Sequence, residues 1–186
     1  MPKAKKKTLA AKKKPLSKTK KITAKKTVKR KTKKISPIPK GYHTVTPYLI
    51  VNGGIRALEF YKKAFGAKSV VCMEHGNGKV GHAELTIGDS KIMLSDGCPE
   101  MKTPSPKELG GTPVSLHLYV KDVDAFVKRA IAAGAKLIRP VENQFYGDRS
   151  GGLEDPFGHI WYVATHIEDL TLGQIKKRAA ELFGKK

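Results

Sequence analysis

Between Val45 and Val51 apolar and polar residues alternate, the period of a strand with one buried face, and Gly53-Gly54 then turns the chain. Ile55–Phe65 shifts to helical spacing through Leu58, Tyr61 and Phe65 and stops at Gly66. The same textures return further on. Val114–Val120 alternates, Asp122 is placed to cap, Val123–Ala133 has helical spacing through Phe126, Val127, Ala130 and Ile131, and Gly134 ends it. Both helices run into Gly-Ala-Lys, at 66–68 and 134–136; the two first strands begin 69 residues apart and the two corners 68. A repeat at that distance marks two copies of one supersecondary unit.

Three strands follow each helix in this reading: Ser69–Glu74, Val80–Ile87 and Lys91–Ser95 in the first copy, Lys136–Pro140, Asp148–Leu153 and His159–Thr165 in the second. Turns at His75-Gly76-Asn77-Gly78, Gly88-Asp89-Ser90 and Asp155-Pro156-Phe157-Gly158 separate them. The repeat unit is βαβββ and the fold class α+β. Module one spans 45–98 and module two 114–165, joined by a Pro- and Gly-rich linker over 99–113 that could fold as a flap, the whole forming a domain over 41–167. Past it, 168–186 predicts a C-terminal helix opened by a Thr171/Gln174 capping box, with Leu172, Ile175, Ala179, Leu182 and Phe183 near one face for docking on the body.

Charge changes this picture at one end only. The formal net charge is +21, but 18 of the 37 Lys and Arg and none of the 16 Asp and Glu lie in residues 1–40, leaving a body with 19 basic against 16 acidic side chains, or +3. Residues 1–40 hold few apolar side chains, and Pro15, Pro37 and Pro39 interrupt any helix, so they are expected to form a disordered arm. Its runs Lys5-Lys6-Lys7, Lys12-Lys13-Lys14 and Lys29-Arg30-Lys31 suit salt-sensitive, sequence-independent attraction to nucleic acid or another polyanion. No aromatic residue accompanies them to stack on single-stranded bases. Cys72 and Cys98 form neither a metal-type pair nor a disulfide framework, and no apolar run reaches the ~20 residues of a membrane span. A cytoplasmic, nucleoid-associated location is the expectation.

Several local motifs carry a resemblance. Val45-Thr46-Pro47-Tyr48-Leu49, Glu59-Phe60-Tyr61-Lys62-Lys63-Ala64-Phe65-Gly66, Gly81-His82-Ala83-Glu84-Leu85, Phe145-Tyr146-Gly147-Asp148-Arg149 and Asp155-Pro156-Phe157-Gly158-His159-Ile160-Trp161, in this order and on tandem βαβββ units, resemble the vicinal oxygen chelate (glyoxalase/bleomycin-resistance/dioxygenase) superfamily, and within it the PhnB-like branch. The resemblance implies that each module curls into half of a barrel-like cleft. It also implies, for metal-dependent members, a His on each first strand and a Glu on each last strand, holding a divalent ion that polarises vicinal oxygens. In this chain those first-strand places hold Thr46 and Ser115; the last-strand places hold Tyr162 and one of Ile92, Met93 or Leu94. The usual metal chemistry is therefore not expected, and no cofactor is.

Strand alternation places Tyr48, His82, Glu84, His117, Tyr119 and Tyr162 on the face away from the helices, and Tyr146 and Arg149 are assigned to the same ligand-binding cleft. Two alternatives stay open for its chemistry. His82, Glu84 and His117 supply an adequate ligand set for a relocated metal in a lyase, dioxygenase or transferase. Without metal, Glu84 could serve as base and His117 as acid. Arg149 could grip a carboxylate or phosphate or pair with an Asp to stitch its loop. The partners expected are an unidentified small molecule, a polyanion on the arm, and a second copy of the chain in a homodimer; the cleft could close within one chain or across a domain-swapped dimer. A third reading makes nucleic-acid binding the main function, with the domain as a platform.

Overall fold

The computed structural model describes residues 35–184. The nine Lys and Arg singled out on the arm lie outside the described residues. The first repeat folds as β1 (Tyr48–Val51), α1 (Gly54–Phe65), β2 (Lys68–Glu74), β3 (Val80–Ile87) and β4 (Ser90–Asp96). The second folds as β5 (Ser115–Tyr119), α3 (Val123–Ala132), β6 (Lys136–Asn143), β7 (Asp148–Glu154) and β8 (Ile160–His166). Between them the linker makes a 3₁₀ turn at Pro99–Met101 and a one-turn helix, α2 (Pro106–Leu109), while α4 (Leu172–Phe183) follows the second module. Each module is one four-stranded sheet, ordered β1-β4-β3-β2 and β5-β8-β7-β6, with the first strand of each unit parallel to its last. The tandem βαβββ reading holds.

β1 begins three residues later than alternation suggested, because Pro47 has no N–H to give; its carbonyl accepts from Met93 instead, at 2.9 Å. β6 runs three residues further, through Pro140, which an outer edge strand tolerates. Its pairing with β7 slips on both sides of Arg139, and β2, the outer edge of the other sheet, is likewise irregular between Ser69 and Val71 and between Met73 and Glu74. That edge position also exposes Cys72, which strand alternation alone would bury.

The Asn-Gly-Gly turn into α1 has a steric origin. Gly53 sits at φ 102°, in the left-handed region, and a Cβ on Gly54 would stand 2.6 Å from that of Val80. The close approach lets the Asp96 carboxylate accept from the amides of Gly53 (2.7 Å), Gly54 (3.0 Å) and Val80 (2.8 Å), satisfying donors that a helix start leaves open. Asp122 caps α3 through the Ala125 amide at 2.9 Å.

One hydrophobic core runs through both modules. α1 and α3 pack on each other, and Phe65 meets Phe126 and Trp161 with ring centroids 5.1 and 4.8 Å away. Arg129 of α3 donates to the Ala64 carbonyl at 2.8 Å, serving the C-terminal end of α1. At the centre Asp155 is 3% exposed. One of its carboxylate oxygens accepts from the amides of Phe157 (2.9 Å) and His159 (3.0 Å) and shapes the turn before β8. The other accepts from the Tyr61 hydroxyl (2.6 Å) and the Trp161 indole (2.9 Å) and so joins module one to module two. Burial, then the Asp155 carboxylate, pushes the Tyr61 hydroxyl well above its ordinary value.

The capping box of α4 forms as expected, but no residue of the helix is buried. Its hold on the body is a Phe183–Phe145 edge contact with centroids 5.7 Å apart and a bidentate Arg178–Glu168 pair at 2.7 and 2.8 Å. The linker is not a loose flap: Ser105 and Pro106 are buried, and Glu108 bonds back to the Ser105 amide at 2.7 Å.

Candidate functional site

In module one Ala83, Leu85 and Ile87 point into the core, so His82, Glu84 and Thr86 occupy the helix-free face. Sheet register then aligns Tyr48, Met93 and Glu84 in one row across β1, β4 and β3. Three expected residues meet there. The Tyr48 hydroxyl lies 3.1 Å from His82 Nδ1, and His82 Nε2 lies 3.5 Å from Glu84 Oε1. With Nε2 turned to a carboxylate the ring proton belongs on that nitrogen, which leaves Nδ1 to accept from Tyr48. The arrangement is a carboxylate, an imidazole and a phenol in series, able to hold a polar ligand group or relay a proton.

Residues 37–46, the root of the arm and the lead into β1, lie against this face. Pro37, Pro39, Tyr42 and Thr46 enclose a 450 Å³ cavity with Glu84 and Met93. The Glu84 carboxylate, then burial, pushes the Tyr42 hydroxyl up to about 12, although the two do not reach hydrogen-bonding geometry and the hydroxyl is the one buried side-chain polar atom without a partner among the described residues. Tyr42 in turn, and then His82, hold the Glu84 carboxyl below its usual range. Nothing in the sequence singles out Tyr42, because contact between an arm root and a sheet face leaves no periodic trace.

In module two His117 stands opposite Tyr162, and their ring-bearing neighbour Tyr119 lies 4.9 Å from His117 between centroids. Gly152 gives the Tyr162 ring its room, since a Cβ there would come within 3.2 Å of it. Tyr119 donates to buried Asp148 at 2.9 Å, and His166 places Nδ1 2.8 Å from Asp148 and Nε2 3.0 Å from Asp169. Both imidazole nitrogens face carboxylates, which favours the doubly protonated ring, and Asp148 followed by Asp169 raises the His166 pKa. This cluster was not anticipated, because its members come from three strands and a loop.

A pH dependence follows from it. The folded His166 pKa lies above the unfolded value of about 6.5, so the stabilisation is fully present below about that pH and is lost as pH rises through the folded value. In urea titrations, wild type should lose more of its midpoint between acidic and alkaline buffer than His166→Asn does. Equal losses in the two proteins would remove His166 from the account.

The remaining two expected residues do not join these centres equally. Tyr146, half-buried beside β7, reaches Ser150 at 3.4 Å. Arg149 is a correction: β7 pairs it with Thr165, on the helix side of the sheet, where it grips Asp124 of α3 through two bonds of 2.7 Å and Asn143 at 3.1 Å. Counting parity along β7 from Asp148 explains why it turns away from Tyr119 and Tyr162. The stitching role stands, with Asp124 as partner.

Register also settles the fourth family metal position. Tyr48 pairs with Met93 as His117 pairs with Tyr162, which makes Met93 the counterpart of Tyr162. The set Thr46, Met93, Ser115 and Tyr162 contains neither imidazole nor carboxylate and does not fit a divalent metal of the family kind. The relocated set is not gathered either: His82 and Glu84 adjoin, His117 lies in the other sheet, and among the described residues no three His, Cys, Asp or Glu side chains converge at ligand spacing.

Comparison with known proteins agrees with this architecture. A family model described as the Glyoxalase/Bleomycin resistance protein/Dioxygenase superfamily matches residues 42–163. The uncharacterized protein Rv0887c of Mycobacterium tuberculosis is 40% identical over 135 residues, which is 71% of this chain and 79% of that protein. The crystal structure of the Arabidopsis thaliana product At5g48480 is 29% identical with a TM-score of 0.54, covering 66% of this chain and 98% of that one. A PhnB protein of Bacillus cereus, 20% identical with a TM-score of 0.53 over 66% of this chain and 99% of its own, shares the fold.

Proposed function

Because the chain belongs to the Glyoxalase/Bleomycin resistance protein/Dioxygenase superfamily, we propose that it binds a small organic molecule on the helix-free face of module one, through Tyr48, His82 and Glu84, without the family's metal. The observation that carries this reading is the His82 ring spanning Tyr48 and Glu84 beside the 450 Å³ cavity. That volume lies within the ~300–1,000 Å³ usual for small-molecule sites. Glu84 and Met93 line that cavity; beside it Glu84 orients His82, His82 accepts from a hydroxyl, and Met93 offers an apolar contact. A ligand hydroxyl replacing the Tyr48 proton at Nδ1 would meet a base already oriented for it.

A second copy of the chain closes the site in this proposal, since Tyr48 is 46% and Tyr119 62% exposed in the single chain. The lysine-rich arm draws the protein to nucleic acid without reading sequence. Truncations that separate the arm from the domain should end at residue 34, because Pro37 and Pro39 line the cavity.

The test is a thermal-shift screen of a metabolite library on the full chain, with chelator and with added Mg²⁺, Mn²⁺ or Zn²⁺. A hit at 100 times its Kd adds about 2.7 kcal/mol of apparent stability. The shift should persist in chelator and shrink in Tyr48→Phe and His82→Gln. A shift that requires a divalent ion and disappears in Glu84→Ala would instead establish the relocated metal site. A hit unaffected by all three substitutions would move the site elsewhere.

A further inference from the structure

The segment leading into β1 and the outer strand β5 border a crevice between the modules. A cavity of 180 Å³ opens there, adjoining the cavity beside Glu84, with which it shares His43 and Thr46. Its polar lining comes from His43 and Thr46 ahead of β1, Ser90 and Lys91 of β4, and His117 of β5, with no Asp or Glu. Ser90 already donates to Asp89, at 2.9 Å, which leaves the two imidazoles, the Thr46 hydroxyl and the ammonium group. The rest of the wall is apolar, including Ile92, Leu118 and the buried Trp161.

Lys91 is the decisive residue. Its ammonium is held 5.4 Å from the centre of the Tyr42 ring, and among the described residues no carboxylate comes within ion-pair distance of it. That ring and the acid its charge reaches, Glu84, both line the neighbouring cavity, so the ammonium stands at the boundary of the two. A cation fixed by an aromatic ring, beside two imidazoles and over an apolar wall that weakens water screening, attracts anions. The volume is below the ~300 Å³ floor of drug-sized pockets, which suits a fragment. We propose that this crevice binds the anionic group of a small organic acid, a carboxylate or phosphate on a short apolar stem, with Lys91, His43, His117 and Thr46 as donors. The inference does not depend on the function proposed above.

Trp161 is the single tryptophan of the chain and lines the cavity, so its fluorescence reports local occupancy. Full-length protein would be titrated at constant ionic strength with inorganic phosphate, with butyrate and with butylamine. Expected is a saturable change with at least one of the two anions and none with the amine; which anion saturates identifies the headgroup. Lys91→Met should weaken binding by about tenfold or more, Lys91→Arg should largely retain it, and Lys79→Met, on the exposed β2–β3 turn, should match wild type. The proposal is overturned if neither anion gives saturation, if butylamine saturates as well, or if Lys91→Met binds as wild type does.

Discussion

Asp155→Ala is expected to lower the unfolding free energy by about 3–5 kcal/mol, since it strands two side-chain and two backbone donors in the core and each buried unsatisfied group costs roughly 1–3 kcal/mol, partly recovered by relaxation. Those donors are the Tyr61 hydroxyl, the Trp161 indole and the amides of Phe157 and His159. At roughly 2–4 °C per kcal/mol for a chain of this size, the melting temperature should fall by about 6–20 °C. Asp155→Asn should also destabilise, because its amide nitrogen would face a donor where a carboxylate oxygen now accepts. Calorimetry together with urea titration checks both variants. A loss below about 1 kcal/mol for the alanine variant would show that the two modules are held together without this carboxylate.

Phe65→Ala is expected to cost about 3–5 kcal/mol, the range for emptying a fully packed aromatic position. Phe65 is 5% exposed and stands among Phe60, Tyr61, Phe126 and Trp161, with centroids between 4.8 and 5.5 Å, so neighbours from both modules lose contacts at once. Phe183→Ala is the natural comparison, since that ring is 65% exposed and touches one partner. Its cost should be a small fraction of the first. If urea unfolding gave the two substitutions similar losses, the packing of α1 on α3 would not be where the fold's stability resides.

What the sequence made legible was periodic. Two copies of one hydrophobic pattern, each closed by Gly-Ala-Lys, specified the modules, and alternation along β3 and β5 assigned His82, Glu84, His117 and Tyr119 to the helix-free face. What escaped was non-periodic. Arg149 was assigned to the cleft, whereas strand parity and an Asp124 partner 25 residues earlier turned it to the helices. Tyr42 acquires its neighbours only when the segment ahead of β1 folds back, and His166 needs both a cross-strand partner, Asp148, and the loop that carries Asp169; no spacing rule encodes either. Asp155 reads in sequence as a turn residue; its second role, receiving Tyr61 from 94 positions away, appears only once the modules are packed. The ambiguity among Ile92, Met93 and Leu94 needed pairing partners, which one strand cannot supply about itself.

The slipped pairing at the two outer strands has a bearing on how this protein survives in a crowded solution. A sheet whose broad face must stay open to take up a ligand or a second copy is at risk of adding foreign strands along its rim and growing into fibres. Here β2 carries two register breaks, and β6 carries two more together with Pro140, whose missing N–H interrupts the row of donors another strand would use. Growth is therefore disfavoured at the β2 and β6 rims.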